Sequence, residues 1–135
     1  KNAKNKPFSG LGGSIEDAYT LVKYPKRLRP YAQFYWPGPV TLITRKKAFI
    51  KDVSSRGSSS VGVWLTGDSA ARKIANHFGP LVVANPYPSH KEKIETLEDA
   101  LLFEKSVDYI VKGKKLKAKS AFVFDVDNNE SLSEN

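Results

Sequence analysis

Apolar and polar positions along this chain follow first one period and then another, and the changes between them mark its elements. Ile15, Ala18, Tyr19 and Val22 keep the i, i+3, i+4, i+7 spacing of a helix with one apolar face, which predicts a helix over residues 15–23. Ser14 stands at its N-cap, with Asp17 three residues later in the capping-box position. Pro25 is expected to end this helix, and Pro30 stands where a short one over Tyr31 to Trp36 can begin. Val40 to Thr44 and Val61 to Leu65 read as strands. Asp68 can cap a helix over 69–78 with Ala71, Ile74 and Phe78 on one face, closed by Gly79-Pro80. Leu81 to Ala84 reads as a short buried strand. Thr96 caps a helix over 97–104 with Leu97, Ala100 and Leu101 inward, Val107 to Val111 reads as another strand, and Ala121 to Val126 as the last.

Strands thus alternate with capped helices, which predicts an α/β domain: a twisted, mixed sheet with helices packed on it. The expected domain runs over residues 1–126, followed by an acidic, polar and frayed tail over 127–135. In such sheets ligands bind beyond the carboxyl ends of strands. That makes Arg45 to Lys47, Asn85 to His90 and Lys112 to Ser120 the candidate loops. Ser54 to Ser60 is a flexible loop by composition.

The sharpest change of character falls at Phe34-Tyr35-Trp36-Pro37-Gly38-Pro39-Val40-Thr41-Leu42-Ile43. An aromatic cluster meets Pro-Gly-Pro and then a β-branched run. Neither proline has an N–H to give, and each pushes the residue before it out of the helical region. The result is a stiff corner that delivers the chain into a strand. Gly10-Leu11-Gly12-Gly13 either forms a turn or offers backbone N–H groups to a phosphate, without the spacing of a known phosphate loop.

Composition narrows the chemistry. The 135 residues contain no Cys and only two His, far apart in the chain, which excludes disulfides and thiolate metal sites and argues against a transition-metal site. No apolar run reaches the roughly 18 residues that span a bilayer, and no leader pattern is visible, so the expected setting is the cytoplasm, with no membrane partner. The net charge of +8 is uneven. Residues 1–51 carry eleven Lys/Arg against Glu16 and Asp17, or +9, and residues 52–135 carry eleven against twelve acids, or −1. A basic half suits a polyanion, nucleotide phosphate or RNA; its other reading is Lys used for solubility.

Phe34 to Ile43 closely resembles the F-W-P-G-P-L-T-L-I signature of the YrdC-like threonylcarbamoyl-adenylate synthases. The likeness is collinear over nearly the whole chain. Pro7-Phe8 stands for the family's Pro-Leu, and Ser14-Ile15-Glu16-Asp17-Ala18 for its next helix start. Val61-Gly62-Val63 matches V-G-V, Gly79-Pro80-Leu81-Val82-Val83 matches P-L-V, Val107-Asp108-Tyr109-Ile110 matches V-D-x-I, and Ser120 with Val123 and Asp125 resembles S-T-V-V-D. The resemblance implies an ATP-dependent nucleotidyltransferase. It would condense L-threonine, bicarbonate and ATP, with Mg²⁺, into threonylcarbamoyl-AMP and pyrophosphate, for the threonylcarbamoyl modification of tRNA. It also implies tRNA or double-stranded RNA, and other tRNA-modification proteins, as partners.

The sequence departs from the family at several places. The opening T-D-T-x-Y-G-L segment is absent, so the domain is expected to be N-terminally incomplete. No Arg completes a K-x-R motif among Lys1, Lys4 and Lys6. Leu11 stands where many members have His. Trp64 replaces the Arg of V-G-V-R, and Thr66 the nearby Pro. The S-A-N-x-S-G loop aligns with Asn85 to His90, where only Ser89 is identical. By this register the candidate nucleotide- and substrate-binding residues are Ser120, Ser89, Asn85, Lys4, Lys6, Arg45 and Lys46. No catalytic residue is assigned. The serines double as turn caps and the lysines as a solvated basic end; His77 reads as structural, and Trp64 as core or pocket wall. The alternative function is a non-catalytic module that binds RNA or nucleotide on the same basic surface. A third use of the fold, carbamoyl transfer in hydrogenase maturation, lacks the acylphosphatase-like and zinc-finger segments that accompany it.

Overall fold

The computed structural model describes residues 9–51, 57–84, 96–114 and 121–132. The chain divides into two compact units, one of Lys1–Ala84 with Ser120–Glu134 and one of Asn85–Lys119 with Asn135. The first unit holds the sheet. Its described elements are β1 (Ser9–Leu11), α1 (Ile15–Leu21), α2 (Pro25–Tyr35), β2 (Val40–Arg45), β3 (Ser60–Trp64), α3 (Ser69–Phe78), β4 (Leu81–Val83), β5 (Phe122–Asp125) and β6 (Glu130–Leu132).

The sheet order is β4-β1-β3-β2-β5-β6. β1 runs parallel to β3 and β2 parallel to β5, while the β1–β4, β2–β3 and β5–β6 pairs are antiparallel. The sheet is therefore mixed, as the alternation of elements predicts. Val40 and Leu42 of β2 and Val61 and Val63 of β3 alternate onto one face, where they meet Ala18, Val22, Leu28, Ala32 and Trp36 in the core. α1 packs on β1 and β3, and α2 on β2.

Local chemistry accounts for the helix starts. Ser14 Oγ accepts the Asp17 N–H at 3.1 Å, and Asp68 Oδ2 accepts the Ala71 N–H at 2.8 Å, each satisfying one of the orphan donors of a first turn. Gly79 ends α3 at φ 88°, a conformation cheap only for glycine.

The second helix corrects the sequence reading. Pro25 does not merely follow α1 but opens α2 at its first positions, and the helix runs through Pro30 to Tyr35. An internal proline forfeits one hydrogen bond and costs about 3 kcal/mol. Leu28 and Ala32, one turn apart, are fully buried, and Trp36 caps the helix in the same core. Burying a leucine alone contributes roughly 1.5–3 kcal/mol, so tertiary packing carries the helix across the proline.

Other expectations change for the same kind of reason. Gly10 and Leu11, part of a glycine stretch that reads as a turn or a phosphate loop, lie instead in a strand paired on both sides. β4 is an edge strand rather than a buried one, with Val82 65% exposed. Beyond residue 127 the chain is not frayed throughout. The Asp125 carboxylate accepts the N–H groups of Asp127 and Asn128 and the Asn128 side-chain amide, Asn129 takes φ 54°, and the hairpin returns as β6.

In the second unit, Thr96 and Asp99 form a complete capping box for α4 (Leu97–Leu101), followed by a 3₁₀ turn at Glu104–Ser106. α4 is shorter than the predicted 97–104, and Leu97 and Leu101 are exposed rather than inward. Residues 107–111 form no strand, and Val107, Tyr109 and Val111 are exposed. An apolar alternation becomes a strand only where another strand pairs with it, and none among the described residues does. No described helix is long and apolar enough to cross a membrane.

Candidate functional site

The two ends of the sheet differ in chemistry. At the end where β1 and β3 finish and β2 begins, the Pro-Gly-Pro corner is bound into the fold. The Trp36 indole N–H donates to the Val40 carbonyl at 2.7 Å, and the Gly38 N–H to the Leu65 carbonyl at 3.0 Å. The Trp64 indole N–H donates to the Gly38 carbonyl. A Cβ on Gly38 would lie 2.6 Å from the Tyr35 carbonyl oxygen, so only glycine fits this approach. The glycine pair after β1 is likewise a packing device rather than a phosphate cradle. A Cβ on Gly13 would come within 2.6 Å of the Asn76 backbone nitrogen of α3.

The opposite end gathers cations. β2 finishes at Arg45, registered against Ser60, and Lys46 bridges to Val22. Backbone hydrogen bonds then bind three segments together: Lys23 N–H to the Arg45 carbonyl at 2.8 Å, Lys46 N–H to Ser59 at 3.1 Å, and Lys47 N–H to Leu21 at 3.0 Å. The Lys46 ammonium donates to the Ile50 carbonyl at 2.9 Å. Around them lies an open cavity of about 400 Å³ lined by Lys23, Arg45, Lys46, Lys47, Ala48 and Ser59. Four cations on a rim fixed by main-chain bonds make a field that concentrates anions. A second cavity, of about 240 Å³, is mostly apolar, with Leu21, Phe49, Ile50 and Leu81 among its lining.

Asp127 binds directly to the end of β2. Its carboxylate accepts the Arg45 N–H at 2.9 Å and the hydroxyl of fully buried Thr44 at 3.2 and 3.3 Å, and lies 3.4 Å from the Arg27 guanidinium.

Of the residues expected to bind nucleotide or substrate, the structure brings Arg45 and Lys46 together on the cavity. Lys4, Lys6, Asn85, Ser89 and Ser120 lie outside the described residues. The start of β1 and the end of β4 are paired at Ser9 and Val83, at the cationic end of the sheet. The start of β5 pairs with Val40, at the corner end. Sequence reasoning did not assign Lys23, Ser59 or Asp127, which come from segments far apart in the chain. Only the sheet pairing brings them beside Arg45. Among the described residues no three His, Cys, Asp or Glu side chains gather into a metal-binding group. His77 sits exposed in the last turn of α3, edge-on to Phe78.

The Sua5/YciO/YrdC family model, described as telomere recombination, matches residues 1–132. No curated protein matches the chain. Among solved structures, Sua5 of P. abyssi complexed with L-threonine is similar at TM-score 0.81 and 22% identity, over 92% of this chain and 38% of its own. MTH1692 of Methanobacterium thermoautotrophicum is similar at TM-score 0.72 and 25% identity, over 93% of this chain and 60% of its own. E. coli YciO follows at TM-score 0.72 and 18% identity, over 90% and 61%. The chain thus spans between about two-fifths and three-fifths of the length of these neighbours, and they establish its α/β fold.

Proposed function

This chain belongs to the Sua5/YciO/YrdC family, and from that premise we propose that it serves threonylcarbamoyl-AMP synthesis from L-threonine, bicarbonate and ATP, for tRNA modification in the cytoplasm. The observation that carries the reading is the family match over residues 1–132, on a fold whose sheet ends in a cationic cavity. The L-threonine bound by the P. abyssi neighbour supports the amino-acid substrate.

The chemistry suits such a cavity. The threonine nitrogen takes the carbon of bicarbonate with loss of water. An oxygen of the resulting carbamate bonds to the α-phosphorus of ATP, and the bond to pyrophosphate breaks. Arg45, Lys46, Lys47 and Lys23 would offset charge on the triphosphate and on the leaving pyrophosphate. Arg45 can grip a phosphate with two parallel hydrogen bonds, whereas the lysines act as point charges. Mg²⁺ enters this reading as part of the substrate, MgATP, since magnesium is commonly held by substrate phosphates and few protein carboxylates. Lys4, Lys6, Asn85, Ser89 and Ser120 remain proposed contacts through the family register alone.

Incubation with ATP, bicarbonate and threonine should release pyrophosphate only when all three are present. Threonine-independent release, or none, contradicts the reading.

A second reading, a non-catalytic nucleotide- or RNA-binding module, is favoured by Trp64. It stands where the family has arginine, and its indole N–H is taken up by the Gly38 carbonyl, so this position supplies no cation. Nucleotide binding without threonine-dependent pyrophosphate release would decide for it.

A further inference from the structure

We propose that Asp127 is a positioning residue for the cationic cavity: it fixes the backbone from which Arg45 reaches an anionic ligand, while Arg27 cancels its charge. The inference rests on the reading of that cavity as a polyphosphate site.

Arg45 is the last residue of β2 and stays paired with Ser60 on the β3 side, but on the β5 side the register ends at Ile43. Val126 N–H still donates to the Ile43 carbonyl at 2.9 Å, and beyond that bond the main chain of β5 turns away into the hairpin. The Arg45 N–H would then have no strand partner on this side. The Asp127 carboxylate takes that place, accepting the N–H at 2.9 Å. The same carboxylate satisfies the Thr44 hydroxyl, which is fully buried and has no water to turn to. Asp127 is itself held, because its N–H donates to Asp125 at 3.0 Å inside the turn. A hairpin turn distant in sequence therefore sets the residue that lines the cavity. The Arg45 carbonyl in turn accepts the Lys23 N–H, so the constraint extends to a second cation of the rim.

A carboxylate beside an anion site has an electrostatic cost, since it repels the ligand that the cations attract. Arg27 lies 3.4 Å from Asp127 Oδ1 and offsets that charge. The arrangement thus uses an acid for its geometry as an acceptor and spends a cation of α2 to mask its field.

Two substitutions separate geometry from charge. Asp127→Ala removes the acceptor; Asp127→Asn keeps an oxygen acceptor and removes the charge. The probe is inorganic tripolyphosphate, titrated calorimetrically against the full chain at low and moderate salt, with circular dichroism verifying the fold of each variant and Arg45→Ala run in parallel. Asp127→Ala should bind about tenfold more weakly than wild type, as expected for the loss of a charged hydrogen-bond partner. Asp127→Asn should bind at least as tightly as wild type, with its advantage growing at low salt, where charges are least screened. A purely structural role would not give that salt signature. If folded Asp127→Ala binds like wild type, or Asp127→Asn binds as weakly as Asp127→Ala, the inference is overturned, while a weakened Arg45→Ala leaves the cavity reading standing. If wild type binds no tripolyphosphate, or Arg45→Ala binds it undiminished, the cavity reading fails and the inference fails with it.

Discussion

At one end of the sheet, where β1 and β3 finish, the described chain is closed by two tryptophans, a Pro-Gly-Pro corner and a glycine pair packed against helices. At the other, where β2 and β5 finish, it presents Lys23, Arg45, Lys46 and Lys47 around a cavity, with Asp127 behind them. The first end spends its polar groups internally, each indole N–H on a carbonyl of the corner. The second spends backbone groups on holding three segments together and leaves charged side chains around an open cavity. The contrast follows from desolvation. Apolar bulk and satisfied amides can be buried at little cost, whereas a cluster of like charges is tolerable only where water or an anion reaches it. Stability should therefore depend on the corner end, and ligand binding on the cationic end.

Substitutions that respect this division should separate the two properties. Trp36→Ala at the corner removes a buried ring and its bond to Val40, and should cost about 3–5 kcal/mol in denaturant unfolding. Any such variant that still folds should keep wild-type affinity for MgATP, and a selective loss of that affinity would break the comparison. Gly13→Ala forces a methyl against the Asn76 backbone nitrogen and should cost about 1–3 kcal/mol by the same measurement. Asp68→Ala deletes the α3 cap and should cost about 1 kcal/mol, read as a lowered thermal midpoint. The triple change Arg45→Gln, Lys46→Gln, Lys47→Gln spares the core, removes the Lys46 bond to the Ile50 carbonyl besides the charges, and should alter unfolding by no more than about 1 kcal/mol. A large loss of stability there would show that the rim holds the fold together.

How much of this was legible in the sequence depended on how local its cause is. The caps at Ser14, Asp68 and Thr96 are short-range bonds, and their helices were readable from residue types three apart. The Pro-Gly-Pro corner was readable because proline constrains its own neighbours. It identified the family register without supplying any reacting group. α2 was misread because burial of Leu28 and Ala32, a tertiary effect, overrode Pro30. β4 was misread because an apolar run does not reveal whether its strand lies at an edge. The strand expected over 107–111 failed because nothing among the described residues pairs with it. The site divides in the same way. Arg45 and Lys46 lie consecutively at the end of a recognisable strand, so charge and pattern pointed to them. Lys23, Ser59 and Asp127 reach the same place only through sheet pairing. Asp127, in a polar stretch that reads as tail, acquires its role only when β5 lies beside β2.

The assignment of binding to the cationic end is tested most directly by calorimetric titration of MgATP into the wild type and the Arg45→Gln, Lys46→Gln, Lys47→Gln variant. Wild type should bind with an affinity that falls as salt rises, and the variant should bind at least about tenfold more weakly while unfolding at nearly the same midpoint. Equal affinity in the two proteins, or binding to wild type that is indifferent to salt, would contradict it.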